Sequence, residues 1–137
     1  MGDFVLDLSH LIKAIDRLDE GIARYQTDTS DTQIRDGLIQ RFEFTYEISH
    51  KMLKCYLEMA SAASEQFDSM PFQDLIRSSN EQGLLLSEWP RWRTFRDVRS
   101  KTSHTYDEAK ALEVVAEIPA FLEEASFLRD QLKARTL

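Results

Sequence analysis

With a single cysteine, Cys55, the chain can form no disulfide within itself and no cysteine-based zinc cluster. Three prolines and four glycines in 137 residues are too few for the turn density of an all-β sandwich or barrel. No apolar run approaches the roughly 18 residues of a membrane span. The opening residues, MGDFVLDLSHLIK, put Asp3 and Asp7 where a secretory signal carries positive charge ahead of an apolar stretch. Leu6 stands where a myristoylation signal beginning at Gly2 wants Ser or Thr. Together these absences point to a cytoplasmic protein. Glycine-rich phosphate loops are missing, as are H-E-x-x-H and C-x-x-C. His10, His50 and His104 lie far apart, and none pairs at i, i+4 with another ligand, so nothing points to a metal or a cofactor.

What is present is ordinary for one globular domain spanning residues 1–137, with 42% hydrophobic and 30% charged residues. The net charge of −7 opposes binding of a polyanion through the whole surface. Cations nevertheless concentrate at Arg91, Arg93, Arg96, Arg99 and Lys101, opposed within that stretch only by Asp97. Such a cluster is either a local phosphate site or one solvated helix face.

Hydrophobic periodicity predicts five helices. Phe4, Leu8, Leu11, Ile15, Leu18, Ile22 and Tyr25 alternate spacings of four and three, the seam of a bundle helix over 4–25. Ser30 and Gln33 suit a capping box opening a long helix over 31–65, with apolar residues on two faces. Two faces mean burial on two sides, against the bundle and against either another helix or a second subunit. Pro71 in a first turn and Gly83 at the end frame a third helix over 70–82. A fourth, over 88–101, buries Trp89, Trp92, Phe95 and Val98. Thr105 with Glu108 resembles another capping box, placing Tyr106 first in a last helix whose buried face is Leu112, Val115, Ile118, Leu122, Ala125, Leu128 and Leu132, with a kink at Pro119. Short connections between long helices imply an all-α, up-and-down bundle, four-helix-bundle-like.

The stretch Arg99-Ser-Lys-Thr-Ser-His104-Thr-Tyr106 is where chemistry concentrates. A helix start offers unpaired amides and partial positive charge to an anion. Arg99 can turn its planar fork toward the same point, Arg96 lies one turn back, and Lys101 follows in the basic run. An arginine and a histidine around a phosphate suffice for RNA cleavage without metal, the imidazole taking the 2′-hydroxyl proton and the guanidinium stabilising charge on the phosphoryl oxygens. The spacing Arg-x4-His by itself favours a capping histidine and a surface arginine over a catalytic pair.

RFEFTYEISHKMLKCYLE at 41–58, followed in order by VRSKTSHTYDEAKA at 98–111, resembles the nucleotidyltransferase substrate-binding family of the HEPN superfamily. The likeness covers nearly the whole chain. It implies a five-helix bundle that forms a homodimer, and a partner that is a minimal nucleotidyltransferase. In many such pairs the HEPN member is a metal-independent ribonuclease toxin and the transferase its antitoxin. By match, Arg99 and His104 are the catalytic pair, and Tyr106 is the tyrosine that the partner can adenylylate to silence the toxin. Arg96 and Lys101 are the candidate RNA phosphate contacts. The chain departs from the family pattern at Ser100, where active nucleases often carry Asn, Asp or His, and at His50, where Trp is common. Three functions remain open at this point: a ribonuclease toxin, a non-catalytic subunit presenting substrate to the transferase, and an interaction module without chemistry.

Overall fold

The computed structural model describes residues 6–136. Its elements are α1 (Ser9–Thr27), α2 (Thr32–Ala60), α3 (Phe72–Glu81), α4 (Trp89–Lys101) and α5 (Glu108–Arg135), with short 3-10 turns at Ser64–Phe67 and Thr102–His104. The described residues contain no strand. Helices α1, α2 and α5 pack mutually, α4 lies against α5, and α3 bridges α2 and α4. This is the expected all-α bundle.

The α1 seam buries Leu11, Ile15 and Leu18, while Phe4 lies outside the described residues. The helix begins only at Ser9, whose amide donates to the Asp7 carboxylate at 2.9 Å. At the start of α2 the cap is Asp31 rather than Ser30. Its carboxylate accepts from the amides of Gln33 and Ile34, and the Ser30 hydroxyl instead donates to Asp28. A carboxylate satisfies two first-turn amides and also suits the positive end of the helix. The far end of α2 comes at Ala60, not near residue 65, because Ser61 turns to extended backbone. The following 3-10 turn then tucks Phe67 into the core.

Gly83 is left-handed at φ 74°, and the amides of Gly83 and Leu84 donate to the carbonyls of Asn80 and Ser79. That doubly bonded stop suits glycine and delivers Leu84 fully buried. The connection to α4 is then tied to α5 by a residue that hydrophobic periodicity does not reveal. Glu124 is 1% exposed, and one of its oxygens accepts from the amides of Leu86 and Ser87 at 2.8 and 3.2 Å.

Helix α5 runs through Pro119 unbroken. Its buried face is Ala111, Val114, Ile118, Phe121, Ala125, Leu128 and Leu132, so the expected stripe is one residue off in its first half. Leu112 is exposed, and Val115 and Leu122 are half-buried. Phe121 is the hub of the core. Its ring meets those of Phe42, Phe95, Trp92 and Tyr46 at centroid distances of 5.1 to 5.9 Å, three of them edge to face.

Candidate functional site

The basic stretch ends where α4 gives way to the 3-10 turn Thr102–His104. Val98, Phe95 and Trp92 anchor α4 in the core, which leaves Arg99 on the flank facing α2. There its guanidinium meets two carboxylates spaced i, i+4 on α2. Nη1 pairs with Glu43 at 3.2 Å and Nη2 with Glu47. Thr102 closes the corner, its hydroxyl donating to Glu43 at 3.2 Å and lying 3.2 Å from Arg99 Nη1. Glu43 and Glu47 were not among the expected site residues. Their signal was legible as two acids one turn apart in the 41–58 motif, but nothing along the chain joins them to residue 99.

His104 ends the 3-10 turn and is half-exposed. Its Nδ1 lies 3.4 Å from the Tyr106 hydroxyl, with the two rings edge to face. Tyr106 is 84% exposed, the most open of the large apolar side chains among the described residues. It does not open α5, contrary to expectation. The cap of α5 is Asp107, whose carboxylate accepts from the Lys110 amide, and the helix starts at Glu108. The helix start expected to receive an anion thus already holds one.

The structure therefore brings together His104 with Tyr106, and Arg99 with Glu43, Glu47 and Thr102. Arg96 turns instead onto the Phe72 ring, 5.6 Å from its centroid. Lys101 pairs with Glu113 at 2.7 Å and Asp97 at 3.2 Å, hydrogen bonds that hold its ammonium above the usual lysine range. Ser100, one of the two departures from the family pattern, spends its hydroxyl on the Asp97 carbonyl at 2.6 Å. Beneath Arg96 and Arg99, burial pushes the Tyr46 phenol up to about 12, so it stays neutral despite both cations. No group of three His, Cys, Asp or Glu side chains converges as a metal site among the described residues.

His50, the second departure, packs edge to face on Phe72 with centroids 4.9 Å apart. Burial, reinforced by Lys54 and Arg96, lowers its pKa below the ordinary 6.5. The unfolded chain therefore binds this proton more readily than the folded one. Stability contributed by neutral His50 is present above pH 6.5 and is lost as pH falls through that value toward the folded pKa. Urea midpoints measured at about pH 7.5 and about pH 5.5 should fall on acidification, and the fall should be smaller in His50→Gln. An unchanged fall in the variant would assign the pH dependence to other groups.

Residues 6–134 match the family described as nucleotidyltransferase substrate binding protein like. The chain belongs to this family. A curated relative, "Probable ribonuclease HepT" of Haemophilus influenzae, is 42% identical over 99 residues, covering 72% of this chain and 67% of the relative. A solved structure, also from Haemophilus influenzae, was described as revealing the fold of a substrate binding domain of a nucleotidyltransferase. It superposes with a TM-score of 0.86 at 34% identity, covering 93% of this chain and 99% of that one. Membership agrees with the motifs at 41–58 and 98–111, which supply opposite sides of the Arg99 corner. Among the described residues no helix is long and apolar enough to cross a membrane.

Proposed function

We propose that this family member is the HEPN partner of a minimal nucleotidyltransferase and acts as a metal-independent endoribonuclease toxin, with Arg99 and His104 as its catalytic pair. The observation that carries the reading is the half-exposed His104 in the 3-10 turn that follows Arg99's helix, in a chain 42% identical over 99 residues to a relative named "Probable ribonuclease HepT". In this reading the His104 imidazole takes the proton of the RNA 2′-hydroxyl. The 2′-oxygen bonds to phosphorus, and the 5′-oxygen leaves with a proton, giving a 2′,3′-cyclic phosphate. Arg99 stabilises the charge that gathers on the phosphoryl oxygens, and Arg96 and Lys101 contact flanking phosphates. Arg99 has five N–H donors; one is engaged with Thr102 and one with Glu47, and Glu43 adds an ion pair at Nη1. The site is completed by a second copy of the chain in a homodimer.

Tyr106 is the target of the transferase. A nucleotide attached to its hydroxyl would set a phosphate beside His104 Nδ1, now 3.4 Å from that oxygen, and block the base by charge and bulk. The direct test is cleavage of single-stranded RNA by purified protein in excess EDTA, beside the same RNA with 2′-O-methyl groups. Cleavage of the first alone, with cyclic phosphate ends, is expected. Inert protein whose intact mass shows no modification would remove the nuclease reading. A second reading, a non-catalytic subunit that presents substrate to the transferase, draws on the description of the solved relative and on Arg99 facing carboxylates rather than His104. Stable capture of the transferase by a protein with no nuclease activity would favour it.

A further inference from the structure

On the other flank of α2, away from Arg99, a groove runs between α1 and α2. Its rim carries His10, Lys13, Arg17 and Arg24 from α1 and Arg41 from α2, all exposed. The four α1 side chains recur at spacings of three, four and seven, so they form one stripe along the helix. Glu20 is the only acidic side chain lining it, although the chain as a whole carries −7. Lys13, Arg17, Arg24 and Arg41 form no ion pair among the described residues, whereas Arg99 and Lys101 each have two carboxylates. Concentrated unpaired cations on an acidic protein create a local field for an anion that the total charge would not suggest.

Two further features shape the groove. Gly21 lies against α2, where a Cβ would come within 3.1 Å of Leu38 and 3.2 Å of Arg41. The missing side chain lets Arg41 reach across and donate to the Arg17 carbonyl at 2.7 Å, which fixes its guanidinium on the groove. At the end nearest the catalytic flank stands Phe44, 55% exposed and rimmed by His10, Lys13, Arg17 and Arg41. An open aromatic ring within a run of cations is the arrangement that holds single-stranded nucleic acid, with bases stacking on the ring and phosphates following the charge. Phe44 and Arg41 share two turns of α2 with Glu43 and Glu47, so the groove end and the Arg99 corner are about one helix diameter apart, roughly 10 Å.

We infer that the α1/α2 groove is a binding track for single-stranded RNA, with Phe44 a stacking platform that leads the strand over α2 toward Arg99 and His104. This rests on the nuclease reading for its direction, but the groove can be tested separately. The probe is an unstructured, fluorescein-labelled 2′-O-methyl RNA, which cannot be cleaved, bound by the full chain and followed by anisotropy across a potassium chloride series. Lys13→Glu/Arg17→Glu/Arg24→Glu is expected to weaken binding at least tenfold. It should also flatten the dependence of log Kd on log salt by about 0.7 for each phosphate that the protein no longer neutralises. Phe44→Ala is expected to weaken binding about tenfold with the salt slope unchanged. All four side chains are exposed, so circular dichroism should show an unchanged helical fold.

Unaltered affinity and slope in the triple variant would overturn the track while leaving cleavage by the wild type standing. Wild type that binds the probe through these residues yet cleaves no RNA would support the track and remove the nuclease. Should the triple variant lose only a protein partner, the nucleotidyltransferase, while binding the probe normally, the groove is a protein interface and the inference is wrong.

Discussion

His104→Ala is expected to slow metal-free RNA cleavage by about 10²- to 10⁴-fold, the range a positioned proton-transfer group contributes. The fold should be untouched. His104 sits half-exposed at the end of a 3-10 turn, and its side-chain partner is the Tyr106 hydroxyl. A thermal midpoint equal to wild type, beside the lost activity, would separate chemistry from folding. The paired variant Tyr106→Phe keeps the ring and removes only the hydroxyl. It should cleave RNA and resist modification by the transferase, with intact mass as the readout. Undiminished cleavage by His104→Ala would withdraw the base from the mechanism.

The largest expected effect on stability belongs to Phe121→Ala, about 3–5 kcal/mol. Phe121 is fully buried and touches four other aromatic rings drawn from α2 and α4, so its loss empties a space that neighbours on those two helices cannot close together. Against a total stability of roughly 5–15 kcal/mol for a domain, that is a large share. Leu122→Ala, one residue along on the half-buried flank, should cost less than half as much. Urea denaturation of the two variants reads the register of α5 directly, and equal losses would contradict it.

That register is also where sequence reasoning slipped. Ala111 and Leu112, Val114 and Val115, and Phe121 and Leu122 are adjacent apolar pairs, so α5 carries two candidate stripes. The larger side chain at 112 favours the wrong one, and only packing against α1, α2 and α4 selects 111, 114 and 121. By contrast α4 was legible but for Trp89, which is half-buried, because Trp92, Phe95 and Val98 offer one buried face and Pro90 marks its first turn. Both capping errors have a common cause. Ser30 and Thr105 fit the pattern, yet Asp31 and Asp107 lie closer to the first-turn amides and bring charge to the helix ends.

The site divided in the same way. Arg99, His104 and Tyr106 stand near one another in the chain, and a motif exposes them. Glu43, Glu47 and Glu124 act across the fold on partners 37 to 59 residues away, a separation no local pattern records. The exposed ring of Phe44 was hidden inside a motif read for its family resemblance.

The Arg99 corner sets one guanidinium against two carboxylates. In charge terms the chain alone therefore presents an anion where the proposed reaction would seat a phosphate. On the proposed function, an RNA strand would have to displace a carboxylate from Arg99 or bring its phosphate in under cations supplied from elsewhere. Folding alone thus leaves the arginine quenched, and its availability becomes a property of whatever assembles around it.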